Sequence, residues 1–189
     1  MCPGFIDTHS HSDVKVLADP ALPMKVRQGI TLEVFGQDGI SVAPVREEER
    51  AVWKQKLSGL LGDFGVPWDW TATRGYLDRV QAARPAPDFP SLVPHGAIRQ
   101  VAMGGDDRPP TSDELARMQA LLRDGMDEGA CGLSTGLIYP PCCYARTGAT
   151  EMPSCPNTSS VMPCRVFMGS VGSASTFRSD WLCVSMYPG

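Results

Sequence analysis

Two histidines one residue apart, His9 and His11, close the run Pro3-Gly4-Phe5-Ile6-Asp7-Thr8-His9-Ser10-His11-Ser12-Asp13. Pro3 and Gly4 start a short strand sharply, and Phe5 and Ile6 read as its buried part. On a strand, side chains two apart share a face and stand about 7 Å apart along it. Two neutral imidazoles converging from one strand end suit a divalent metal, most often zinc. The plainer reading of a bare His-x-His is two solvated loop histidines. Asp7 lies in register with both and is placed to orient a ring.

The surrounding elements must hold this pair. A strand over 3–9 is followed by Asp19-Pro20, which reads as a helix cap with proline in the first turn. The helix runs to about Gln28, and Gly29 ends it. Ile30 to Phe35 form a second strand, rich in β-branched residues. The two strands of such a β-α-β unit run parallel. Trp53, Leu57, Leu60 and Leu61 keep helical spacing behind the charged stretch Arg46–Arg50, and Tyr76, Leu77 and Val80 give another apolar stripe. The tryptophans around Trp68-Asp69-Trp70 read as packing of an inserted helical pair in preference to a substrate contact. Leu92-Val93 begin a third strand. Thr111 and Glu114 have capping-box spacing ahead of a helix carrying Leu115, Met118, Leu122 and Met126 on one face. Gly129 closes that helix, and Cys131 to Ser134 give a fourth strand. The alternation argues α/β with a parallel sheet.

Four separated motifs carry a resemblance to a known family. The first run resembles the opening barrel strand of the amidohydrolase superfamily of metal-dependent hydrolases. The stretch Arg27-Gln28-Gly29-Ile30-Thr31-Leu32-Glu33-Val34-Phe35-Gly36-Gln37-Asp38-Gly39-Ile40-Ser41-Val42-Ala43-Pro44 resembles the second strand and loop of the N-acyl-D-amino-acid deacylases (D-aminoacylases). Leu92 to Arg99 and Gly132 to Pro141 also match that family. The resemblance covers about residues 2–147. It implies the first half of a (β/α)8 barrel, with chemistry at the C-terminal ends of the strands.

The resemblance also implies roles. His9 and His11 match the family's first histidine pair, and Asp38 stands where typical D-aminoacylases carry a cysteine zinc ligand. A carboxylate also ligates zinc. Tyr139 matches a substrate-contacting tyrosine, or else anchors its loop against Pro140-Pro141. His95 is either a second substrate contact or a structural histidine. The implied reaction is hydrolysis of an N-acyl-D-amino acid to a carboxylate and a D-amino acid, with zinc polarising the acyl carbonyl and activating water. A carboxylate near the metal would serve as general base and then protonate the leaving amine. An amidohydrolase of another specificity, such as a cyclic-amide hydrolase, and a non-catalytic remnant remain as alternatives.

The family also needs histidines from strands five and six and a catalytic aspartate from strand eight. The chain has three histidines in all, none of them after Tyr139, and no later strand is expected there to carry the aspartate. A full barrel takes about 250 residues, against 189 here. The expectation is therefore an incomplete, inactive fragment with an open strand edge prone to association. From Gly148 to Gly189 the chain is rich in Ser, Pro, Cys, Gly and Met and has no periodicity. That tail reads as an irregular segment, 148–189, after a barrel part spanning 1–147; it is expected to be either the product of a frameshift or mis-spliced exon or a low-complexity, disordered segment.

Composition narrows the partners. A net charge of −4 and a pI near 5.3 argue against nucleic acid. No apolar run is long enough to span a bilayer, and the direct passage from Met1 into a strand gives the expectation of no secretory signal. The seven cysteines fit no zinc-knuckle spacing and read as reduced thiols of a cytoplasmic protein. A small-molecule N-acyl amino acid is the expected partner; the sequence does not reveal the oligomeric state.

Overall fold

Residues 3–136 are described by a computed structural model of the chain. Strand β1, Phe5–Asp7, pairs in parallel with β2, Ile30–Glu33, through Phe5↔Ile30, Ile6↔Leu32 and Asp7↔Glu33. An irregularity between Phe5 and Ile6 absorbs one extra residue of β2. Strand β3, Leu92–Pro94, pairs in parallel with β4, Gly132–Ser134. Two isolated parallel bridges, Leu32↔Asp88 and Phe35↔Ser91, join the halves, so the strands follow the order of the chain. The result is the mixed α/β arrangement with parallel strands that the alternating pattern implies.

Six helices connect or flank the strands among the described residues: α1 Lys15–Ala18, α2 Pro23–Val26, α3 Arg50–Leu61, α4 Thr73–Ala83, α5 His95–Met103 and α6 Ser112–Asp127. The single helix expected from Asp19-Pro20 to Gln28 is instead only the short α2, while α1 ends at Ala18, ahead of that span. Leu22 stands before Pro23, which disfavours the right-handed helical region for it, and it adopts φ 37, ψ 56. Pro23 then opens α2. Strand β1 is also shorter than expected. It stops at Asp7, so His9 and His11 lie in the loop behind it and do not share a strand face. Phe5 and Ile6 are 59% and 60% exposed, not buried, because β1 has only β2 beside it among the described residues.

The larger core gathers Val14, Phe35, Val42, Trp53, Leu57, Trp70, Tyr76 and Ala97. Trp53 and Trp70 anchor α3 and the segment before α4, their Nε1 atoms donating to the Ser41 and Val42 carbonyls, each at 3.0 Å. The expected stripes hold, except that Leu60 faces solvent. It is one residue from the buried Leu61, a step of about 100° around the helix. A second cluster of Val93, Ile98, Met118, Leu122 and Ala130 seats α5 and α6 on β3. The capping box at Thr111 is complete in both directions. Among the described residues no helix is long and apolar enough to cross a membrane.

Candidate metal centre

The loop after β1 and the turn after β2 meet at the C-terminal ends of these strands. Asp38 sits in a 3-10 turn, Gln37–Gly39, with φ 57 and ψ 20. Aspartate tolerates this left-handed backbone better than most residues. Gly36 and Gly39 flank it at φ 75 and 69. The turn is held from several sides. Gly36 N–H donates to Asp13 Oδ1 at 3.2 Å, and the Ser41 hydroxyl donates to the same oxygen. Gly39 N–H donates to Ser134 Oγ at 3.1 Å, while the Ser134 hydroxyl donates to the Gly36 carbonyl. Gln37 Nε2 donates to the Thr8 carbonyl at 2.7 Å, tying this turn to the histidine loop.

That scaffold brings three donors together. Asp38 Oδ2 lies 3.4 Å from His9 Nε2 and 3.3 Å from His11 Nε2. The two rings are edge-on, with centroids 5.4 Å apart. One donor atom from each of the three residues falls within 4.8 Å of the others. All three side chains are partly open to solvent. Two imidazole nitrogens and a carboxylate oxygen aimed at a common point fit a divalent cation that takes nitrogen and oxygen ligands. They supply three positions of a tetrahedral set and leave one for a further group.

Other expected residues lie elsewhere. Asp7 does not orient an imidazole. Its Oδ1 accepts from the His9 backbone N–H at 3.2 Å, and its Oδ2 accepts from Lys25 Nζ at 2.6 Å. His95, expected either as a substrate contact or as a structural histidine, opens α5 and is wholly buried. Burial first, and then the Arg99 charge, lower its pKa to about 4. Tyr139 and the 148–189 tail lie outside the described residues.

The sequence reading assigned nothing to Asp13, Lys25 or Ser134. Asp13 is fully buried, and burial raises its carboxyl above the usual range although the Ser41 hydrogen bond opposes the shift. Asp13 follows the histidine pair in the same motif, which was the available signal. Ser134 lies within the Gly132 to Pro141 motif, whereas Lys25 carries no such local mark.

Three comparisons relate the chain to known proteins. The amidohydrolase family model matches residues 1–150. D-aminoacylase of Alcaligenes xylosoxydans xylosoxydans is 34% identical over 147 residues, covering 78% of this chain and 29% of the relative. A solved D-aminoacylase described by its binuclear metal centre is 36% identical with a TM-score of 0.65, covering 75% of this chain and 29% of that one. N-acyl-D-glutamate deacylase from Bordetella bronchiseptica, solved with zinc and a phosphonate mimic of the reaction's tetrahedral intermediate, is 36% identical with a TM-score of 0.67. The match covers 79% of this chain and 30% of that one. This chain thus spans under a third of the length of these relatives. With the family model matched over most of its residues, the chain belongs to the amidohydrolase family.

Proposed function

We propose that this chain contributes the first metal-binding half of a (β/α)8 barrel hydrolase that cleaves the linear amide C–N bond of N-acyl-D-amino acids. The observation that carries the reading is the convergence of His9, His11 and Asp38 on one point at the C-terminal ends of parallel strands. A bound divalent metal, zinc in this reading, supplies Lewis-acid polarisation of the acyl carbonyl and activation of water. The two imidazoles would hold it through the nitrogens that face Asp38, and Asp38 would add a negative charge that favours the cation. The substrate class follows from the D-aminoacylase and N-acyl-D-glutamate deacylase relatives. Tyr139 is assigned a substrate contact on the family motif. Residues 1–147 make up the barrel part and 148–189 the tail.

Equilibrium dialysis of the purified chain against zinc tests the centre. The unaltered chain should retain the metal, and the double variant His9→Ala/His11→Ala should lose stoichiometric binding. Equal retention by both proteins overturns the centre. Calorimetric titration of the zinc-loaded chain with N-acyl-D-glutamate, its L enantiomer and a cyclic amide tests the substrate class. A preference for the cyclic amide overturns the deacylase reading and leaves the metal centre standing.

A further inference from the structure

The loop that carries both histidines, residues 8–12, has no regular secondary structure to hold it. Histidine ligands are ordinarily aimed by a hydrogen bond from the second ring nitrogen. Here Nδ1 of His9 and Nδ1 of His11 are buried and have no hydrogen-bond partner among the described residues. The aim of the rings must therefore come through the backbone that bears them.

One side chain reaches that backbone from another element. Lys25, on α2, extends its ammonium between β1, β2 and the histidine loop. Its Nζ donates to Asp7 Oδ2 at 2.6 Å and to Ser10 Oγ at 2.9 Å. Glu33 Oε1 lies 3.6 Å from the same nitrogen, and Glu33 is wholly buried. Asp7 Oδ1, on the far side of its carboxylate, receives the His9 backbone N–H at 3.2 Å. Ser10 stands between the two histidines, and its hydroxyl lies 3.2 Å from Ser12 Oγ. An ammonium has three donors and no acceptor, and three groups surround this one. Two of them belong to the histidine segment or hold it, and the third, Glu33, ties the ammonium to the adjacent strand.

We propose that Lys25 is a positioning residue for the metal centre, clamping the His9–Ser10–His11 loop onto β1 and β2 through Asp7 and Ser10. This rests on the metal reading given above. Lys25 touches neither the donor atoms nor the space between them. It acts by fixing the backbone from which His9 and His11 project, so the two Nε2 atoms meet Asp38 without a search through loop conformations. Removal of such a support costs a metal site about tenfold to a hundredfold in affinity.

Cobalt(II) is the probe, because its visible absorption reports coordination geometry as well as occupancy. The full chain is titrated with cobalt as the unaltered protein and as Lys25→Met, Ser10→Ala and His9→Ala, with far-ultraviolet circular dichroism recorded on each. The unaltered chain should bind and His9→Ala should not. Lys25→Met and Ser10→Ala should bind about tenfold more weakly, with altered visible bands. Lys25→Met leaves the buried Glu33 without its counter-charge and so threatens folding. Ser10→Ala leaves the Lys25 contacts to Asp7 and Glu33 intact, so if Lys25→Met does not fold, Ser10→Ala decides. Cobalt binding lost in His9→Ala but unchanged in strength and spectrum in the folded clamp variants overturns the positioning role alone. No cobalt binding by the unaltered chain overturns the metal reading and this inference together.

Discussion

His95 shows how burial, aided by a neighbouring charge, sets the behaviour of one residue. Its ring is enclosed, with Arg99 nearby, and its pKa falls to about 4 from an ordinary value near 6.5. Between those values the unfolded chain takes up a proton that the folded chain refuses. The stability tied to this group is therefore complete above pH 6.5 and is lost as pH falls towards 4. The gap corresponds to roughly 3 kcal/mol at the acid end. Urea unfolding at pH 7.5 and pH 4.5 should show this loss, and His95→Leu should remove that component. An equal decline in both proteins would refute the assignment. At this scale His9 and His11 were legible because their types and spacing are local. Asp38 was legible through the family motif. Lys25 was not, because it meets Asp7 across 18 positions of the chain.

Elements were legible where their signals lie within a few residues. The Thr111–Glu114 box lies within one turn, and the structure reproduces it. The break at Leu22 depends on the residue ahead of Pro23, and the sequence reading placed that proline inside a helix. Helix α5 carried no cap signal and was not anticipated, since its support is the contact with β3 and α6. The turn bearing Asp38 gives the sharpest test of an element. Gly36 has φ 75, and a Cβ there would strike the Leu92 carbonyl of the adjacent strand. A left-handed backbone costs an L-residue about 1–2 kcal/mol by itself. Gly65 also has a left-handed φ, 69, but open space around it. Gly36→Ala should therefore destabilise the protein by clearly more than Gly65→Ala in chemical unfolding, and it should weaken zinc binding as well. Equal costs would show that the approach of the strand does not matter.

At the scale of the molecule, the layout leaves an apolar pair on β1 among the most exposed large apolar side chains of the described residues. Phe5 and Ile6 are largely exposed on β1, whose only paired neighbour among the described residues is β2. An apolar strand open along one edge is a template for association. Ile6→Lys should reduce concentration-dependent self-association in sedimentation velocity. It should change folding stability by no more than about 0.5 kcal/mol, as for an ordinary surface substitution. Unchanged association would place the contact elsewhere. The sequence reading buried these two residues because an apolar pair in a strand ordinarily faces a core. Which strand lies beside which is not written in the strand itself.

The amino-acid sequence by itself determined the chemistry on offer and the order of the elements. Histidine spacing, the turn glycines, the capping box and the alternation of strand and helix are all short-range properties, and short-range sterics and hydrogen bonding decide them. Tertiary structure alone decided that Asp38 faces both histidines, that Asp7 binds a backbone rather than a ring, and that His95 is enclosed. Each depends on groups brought together from separate elements. Their distances are set by how strands pair and helices pack, and no local pattern encodes those distances.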